Sequence, residues 1–148
     1  MKKVILVALL SFLASAFAIA QPRALGLRFA YGGEVSYQHS IGSNFIEADL
    51  GISPSPAGKL NQFLLSAMFD FVPFSASGFS VYVGPGVQMG FYHSEHYLYN
   101  FGVLAQVGVE YAFAGVPLNL SIDWRPAFQF PNAWFNPTSG MLGVRYRF

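Results

Sequence analysis

The sequence contains no cysteine. Disulfide bonds, thiol catalysis and cysteine-based metal sites are therefore excluded. Charge is also scarce, since only 10% of the residues are Asp, Glu, Lys or Arg, against about 25% in an average soluble domain. A chain with so little charge lacks the ionic groups that normally cover a water-facing surface. This scarcity indicates that much of the exterior does not face water.

Basic clusters and common catalytic motifs are missing as well. The formal net charge is +1, and Lys59 is the only lysine after Lys3. A nucleic-acid-binding surface needs a patch of Lys and Arg that neutralises phosphates, so we expect no nucleic-acid partner. The sequence has no phosphate-binding loop, dinucleotide-binding glycine fingerprint or nucleophile elbow. We therefore expect no enzymatic activity, no cofactor and no metal.

A transmembrane helix is absent from the sequence after residue 20. The best candidate, residues 71–92, has no charge but contains four glycines and two prolines. Each interior glycine costs a helix about 1 kcal/mol and each interior proline about 3 kcal/mol. Apolar residues in this segment recur with a period of two, which is typical of a strand.

The N-terminus has the pattern of a secretory signal peptide. Lys2 and Lys3 precede a short apolar run, and Ala18-Ile19-Ala20 follows as a small-residue cleavage motif. We expect residues 1–20 to be removed and residues 21–148 to form one domain. The alternative is an uncleaved anchor helix, but the run is short for a membrane span of about 20 residues.

Alternation of apolar and polar residues is the main structural signal. It is clearest after Pro117, where Leu118, Leu120 and Ile122 alternate with Asn119, Ser121 and Asp123. Because a strand repeats its side chains every second residue, such a segment presents one apolar and one polar face. Eight segments follow this pattern, near residues 25–31, 34–38, 46–52, 62–71, 80–91, 103–111, 118–130 and 142–148. The breaks between them are short and rich in Gly, Pro, Asn and Ser, which predicts hairpins in an up-and-down order.

The placement of charge distinguishes two barrels that could use eight such strands. In a soluble barrel the apolar face points inward, and in an outer-membrane barrel it points outward. Ten charged residues lie on the less apolar face of a strand: Arg28, Glu34, Glu47, Asp49, Asp70, Glu110, Asp123, Arg125, Arg145 and Arg147. Many glycines share that face, as expected of the crowded interior of a narrow barrel. The sequence therefore predicts an all-β fold, an eight-stranded antiparallel up-and-down transmembrane β-barrel. Pro85 and Pro126, inside strands of a closed barrel, would need bulges or unpaired positions.

The closing segment "GMLGVRYRF" and the stretch "PLNLSIDWRPAFQF" resemble the small outer-membrane β-barrels of bacteria, of the OmpX and OmpA membrane-domain type. The resemblance implies a bacterial outer-membrane location and both chain termini on the periplasmic side. It also implies that the outer-membrane assembly machinery reads the terminal alternating residues Leu142, Val144, Tyr146 and Phe148 as a signal. The expected partners are that machinery, membrane lipid and lipopolysaccharide, around a monomer. The outward loops, including Pro131–Ser139, would be short, which disfavours an adhesin.

The inward charges are the first candidate site. We expect a polar network of Arg28, Glu47, Asp70, Glu110, Asp123, Arg125, Arg145 and Arg147. Buried ions must be paired or neutralised, so a network of mixed sign would fill the lumen as a structural plug. Alternatively, it would line a gated path, making the protein a narrow pore.

A second candidate is the stretch "YHSEHY", where His93, Glu95 and His96 are residue types that bind zinc or copper. The stretch also has a superficial likeness to the outer-membrane lipid A deacylases, whose pattern is His-x-Ser. That pattern is not met, because Glu95 follows His93 at that spacing and Leu98 follows His96. We therefore expect a surface loop with incidental histidines, with an outer-leaflet lipid-modifying enzyme as the alternative. The expected role is in envelope structure or surface interaction.

Overall fold

A computed structural model of the chain describes residues 23–30, 32–54, 60–92, 99–131, 133–137 and 140–148. These residues form ten strands: β1 (Arg23–Phe29), β2 (Gly33–Ile41), β3 (Asn44–Pro54), β4 (Leu60–Ala76), β5 (Phe79–Tyr92), β6 (Tyr99–Ala112), β7 (Leu118–Trp124), β8 (Ala127–Phe130), β9 (Trp134–Asn136) and β10 (Gly140–Arg147). Within these ranges, no helix has the length and apolar character needed to cross a membrane. The expected signal peptide, residues 1–20, lies outside the described residues.

The strands close into a single barrel. Each strand from β1 to β6 pairs antiparallel with the next, β6 pairs with β7, and β7 pairs with β10, which returns to β1. β8 continues the line of β7 along β6, and β9 lies beside β8. β7 with β8, and β9 with β10, therefore act as the seventh and eighth strands. The predicted eight-stranded antiparallel barrel is confirmed.

Pro85 and Pro126 both lie at irregular positions of the strands, as expected. Pro126 lies in the break between β7 and β8, where its carbonyl oxygen accepts a hydrogen bond from the Ala105 N–H at 3.0 Å. Pro85 lies opposite an interruption in the β4–β5 pairing, which passes from Met68↔Gly86 to Phe71↔Val83. Because proline has no N–H to donate, the ladder loses least at such positions.

Several boundaries differ from the sequence-based expectation, and β4 for example runs to Ala76, past the expected end near residue 71. The segment Pro131–Ser139, expected to be a loop, contains β9, which extends the eighth strand upward along β8. β2 reaches Ile41 and so is longer than the expected 34–38, because Gly42 ends it with a φ of +63°. That conformation favours glycine, which has no Cβ.

The barrel has two distinct ends. The lower end carries Arg23 and Arg147 together with the connections at residues 42–43, 77–78 and 113–117. The upper end carries the strand ends that flank residues 30–32, 55–59, 93–98 and 131–133. Antiparallel order places alternate connections at opposite ends.

Polarity is inverted relative to a soluble domain. Apolar side chains project outward and are exposed, as with Leu50 at 57% and Ile122 at 66%. Arg28 and Arg145 are fully enclosed. The cluster of buried apolar side chains among the described residues is small and comprises Met68, Leu104 and Ala127. Buried polar side chains, rather than a large apolar core, therefore fill the interior. The hydrogen bonds between neighbouring strands hold the wall together.

Candidate functional site: a charged cluster in the lumen

Three guanidinium groups meet inside the barrel. Arg28 comes from β1, Arg145 from β10, and Arg125 from the break between β7 and β8. Their exposed fractions are 0%, 0% and 4%. Each occupies a position whose side chain points into the barrel, because side chains alternate between the two faces of a strand. All three therefore enter the same small space.

Arg28 contacts four carboxylates from three other strands. Its Nη1 donates to Asp49 Oδ2 at 2.8 Å and to Glu34 Oε2 at 3.1 Å. The same nitrogen lies 3.2 Å from Glu47 Oε1. Its Nη2 donates to Asp123 Oδ1. Arg28 therefore connects β1 to β2, β3 and β7 across the lumen.

Arg125 shares three of those carboxylates. Its Nη2 donates to Asp49 Oδ2 at 2.8 Å and to Glu47 Oε1 at 3.1 Å, and its Nη1 lies 3.4 Å from Glu34 Oε2. Its Nε donates to Gln106 Oε1 at 2.7 Å. Although Arg125 follows the last residue of β7, these bonds keep its side chain inside the barrel.

Glu47 is the point where the three guanidinium groups converge. Arg145 Nη2 lies 3.0 Å from Glu47 Oε1, the same oxygen that faces Arg28 and Arg125. Arg145 also donates from Nε to Ser36 Oγ at 2.9 Å and from Nη1 to Ser121 Oγ at 2.8 Å. One carboxylate oxygen thus lies within ion-pair distance of three cations, while two serine hydroxyl groups accept hydrogen bonds from Arg145.

Neutral side chains complete the network. Gln38 Nε2 donates to Glu47 Oε2 at 2.8 Å, and the Tyr82 hydroxyl donates to Asp123 Oδ2 at 3.0 Å. Gln106 Nε2 donates to Asp70 Oδ2 at 3.2 Å, which links Asp70 to Arg125 through the amide. Sequence reasoning did not single out these neutral residues. Their alternating positions on the polar face of each strand could have indicated that they point inward. Alternation alone, however, does not identify hydrogen-bond partners.

Glycine provides the room that the cluster needs. A Cβ at Gly108 would lie 2.5 Å from the Tyr82 hydroxyl oxygen and 2.6 Å from Asp123 Cβ. A Cβ at Gly143 would collide with Ser121 Oγ and lie 2.9 Å from Arg145 Nη1. Inward glycines therefore face the bulky charged and aromatic side chains, in agreement with the predicted crowding of a narrow lumen.

Six of the eight predicted network residues lie fully in this cluster or one bond from it: Arg28, Glu47, Asp70, Asp123, Arg125 and Arg145. Glu110 lies at its lower border, with Oε2 at 3.9 Å from Arg145 Nη1. Glu34 and Asp49, inward residues left out of the predicted network, are central members.

Arg147 lies at the lower rim, outside the cluster centred on Glu47, and its place in the wider polar network stays a prediction. Its Nη2 donates to the backbone oxygen of Phe113 at 2.7 Å and lies 3.4 Å from that of Val116. Arg147 is the last residue of β10, at the lower rim. Backbone carbonyl groups of the 113–117 connection are therefore the acceptors of its side chain.

The other predicted sites fall on the outer face or outside the described residues. Leu142, Val144, Tyr146 and Phe148 are all exposed on the outer face of the eighth strand, and their recognition as an assembly signal stays a prediction. His93, Glu95 and His96 lie outside the described residues. Elsewhere, in the part of the chain that the structure describes, no group of three or more His, Asp or Glu side chains is arranged to hold a metal ion.

Comparison with known proteins does not assign the chain to a family. No family model and no curated protein matches this chain.

Proposed function

We propose that this chain is a non-enzymatic integral β-barrel of the bacterial outer membrane, with a plugged lumen and a role in envelope structure or surface interaction. The main support for this proposal is the inverted polarity of the barrel, in which an exposed apolar wall surrounds buried ions. In water the apolar wall of the folded barrel would be unfavourably exposed. In a bilayer lipid covers that wall, the ions stay enclosed within the protein, and a closed barrel pairs its backbone groups internally.

Aromatic side chains near both ends support the same proposal. At the lower end the rings of Tyr111 and Phe113 lie 4.9 Å apart, and those of Tyr111 and Phe79 lie 4.6 Å apart. At the upper end the ring of Phe130 lies 5.4 Å from Phe101 and 5.1 Å from Phe128. Aromatic girdles at two heights are typical of a barrel whose apolar band ends at two membrane interfaces.

The charged cluster supports a structural role in preference to a pore. Arg28 and Arg145 are fully enclosed and bonded to side chains from other strands, so the cross-section at their level is filled. The proposed partners are outer-membrane lipid, lipopolysaccharide and, during biogenesis, the assembly machinery. The four residues Leu142, Val144, Tyr146 and Phe148 are the proposed recognition signal for that machinery.

Cell fractionation tests this proposal directly. The full chain, expressed in a Gram-negative host, is expected in the outer-membrane fraction, resistant to extraction by carbonate or high salt. Because a closed barrel stays compact in detergent until it is heated, the unboiled protein is expected to migrate differently on a gel from the boiled protein. Recovery in the soluble periplasmic fraction, with the barrel folded, would contradict the membrane assignment.

A further inference from the structure

A cavity lies in the upper half of the lumen, above the charged cluster. Its volume is about 520 Å³, which is within the range of sites for small organic ligands. Glu34 and Arg125 line it, and both are already bonded within the cluster, at 3.1 Å from Glu34 to Arg28 and 2.8 Å from Arg125 to Asp49. Glu34 and Arg125 therefore each have an ion-pair partner within the protein, and neither needs one from a ligand.

Side-chain amides from four strands line the cavity. We call them the amide wall: Gln62 of β4, Gln88 of β5, Gln129 of β8 and Asn136 of β9. Two of these residues are held in place by Asn100, whose Nδ2 donates to Gln129 Oε1 at 3.0 Å and whose Oδ1 lies 3.4 Å from Gln62 Nε2. Two of the four amides are thus held in place by hydrogen bonds.

Gln88 is the residue that indicates an occupant. Its exposed fraction is 8%, and it lines the cavity. Among the described residues its side chain has no hydrogen-bond partner, whereas its neighbours Gln62 and Gln129 have one. Because its amide faces the cavity, its hydrogen bonds are made to water or to a ligand there, and a ligand that offers donors and acceptors can replace the water.

Local backbone choices keep space for these amides. A Cβ at Gly90 would collide with Asn100 Oδ1 and Gln62 Nε2. A Cβ at Gly102 would lie 3.3 Å from Gln88 Cγ. Gly90 of β5 and Gly102 of β6 therefore leave room for the amide side chains beside them.

We propose that this cavity binds a neutral, polyhydroxylated ligand of the carbohydrate class. An amide presents a donor and an acceptor side by side, and a hydroxyl group both donates and accepts, so neighbouring amides match neighbouring hydroxyls. Leu64, Ala127 and Met141 also line the cavity and provide apolar surface for the C–H groups of a sugar ring. The inference goes beyond the proposed function and concerns the folded barrel whether it lies in a membrane or a micelle.

Binding is tested with the purified full chain in a zwitterionic detergent that has no sugar headgroup. The probes are glucose, galactose and maltose, with choline chloride and sodium phosphate as charged comparisons. Saturation-transfer NMR reports binding, and the ¹H–¹⁵N signals of the side-chain amides report its location. Saturable binding of at least one sugar is expected, with shifts at the Gln88 and Gln129 amides and no saturable binding of choline or phosphate.

Variants assign the site. Gln88→Leu is expected to weaken sugar binding about tenfold, because it removes two or more hydrogen bonds of ordinary strength. Gln129→Leu, at a less buried position, should weaken it too and provides a second test if Gln88→Leu does not fold. Asn119→Leu is the matched control, since Asn119 is an inward amide of β7 below the cluster, and binding should be unchanged.

Three results would overturn the proposal. One is the absence of saturable binding by any of the sugars to a barrel that shows heat-modifiable migration. Another is tighter binding of choline or phosphate than of the sugars. The third is sugar binding that is equally strong in the native chain, Gln88→Leu and Gln129→Leu.

Discussion

Individual buried ions are the residues on which this barrel depends most. Arg28 is fully enclosed and contacts Glu34, Glu47, Asp49 and Asp123. Removing a charge from water is unfavourable by several kcal/mol, and close partners offset that penalty only when all are present. Loss of Arg28 therefore leaves Asp123 without an ion pair among the described residues, and leaves only two arginines to offset Glu34, Glu47 and Asp49.

Arg28→Met is expected to destabilise the barrel by about 3–5 kcal/mol, the range for a broken buried ion pair. Urea unfolding of the protein reconstituted in lipid vesicles measures the change. The matched control is Arg147→Met at the lower rim, where two hydrogen bonds to backbone oxygens are lost and about 1 kcal/mol is expected. Equal losses for the two variants would contradict the central role of Arg28.

At the scale of the single strand, an irregularity in β4 keeps apolar side chains on the outer face of the barrel. β4 has 17 residues, and its pairing with β5 shifts between Phe71 and Phe74. Strict alternation would direct Phe74 inward, but the shift places it opposite Val81 and exposed. A bulge thus restores the outward parity after Pro73 and extends the apolar wall toward the lower end.

The outer face of β7 offers a test of the environment around the wall. Ile122 is 66% exposed and pairs with Val109 and Leu142 in the middle of the ladder. Ile122→Arg is expected to destabilise the bilayer-inserted barrel by about 2–4 kcal/mol, because an arginine at the membrane midplane is unfavourable. Denaturant unfolding of the protein reconstituted in lipid vesicles measures this change in the free energy of unfolding.

The control for this change is Val116→Arg. Val116 is also exposed but lies in the 113–117 connection at the lower end, where a charged side chain reaches water, and a change within about 0.5 kcal/mol is expected. If Ile122→Arg were as mild as Val116→Arg in vesicles, the outer face of β7 would not be in contact with lipid.

At the scale of the whole molecule, the charged cluster joins strands that are not neighbours in the ring. Arg125 reaches Asp49 of β3, and Arg28 of β1 reaches Asp123 of β7. These bonds cross the lumen rather than follow the wall. The upper cavity therefore ends at the layer of charged side chains.

Electrical recording tests the filled layer. The native barrel in a planar bilayer is expected to show no steady conductance, because ions would have to pass the enclosed guanidinium and carboxylate groups at an energy penalty of several kcal/mol. An eight-stranded barrel is only wide enough for side chains to fill. Reproducible single-channel steps from a purified, heat-modifiable preparation would contradict the plug and favour the narrow-pore alternative.

The sequence by itself determined the fold class and the two faces. Alternation with a period of two is a local property, so the inward position of Arg28, Asp123 and Arg145 could be inferred without knowing any partner. Pro85 and Pro126 could likewise be assigned to irregular positions, because their missing N–H groups are a covalent fact.

Only the tertiary structure decided which inward residues meet. The stagger of strands around a closed barrel sets the height of each side chain, and stagger is a property of the whole ring. That height brings Glu34 and Asp49 to Arg28 and Arg125, leaves Arg147 at the rim, and gathers amides from four strands around one cavity. Alternation specifies the face of a residue, whereas its partners depend on ring closure.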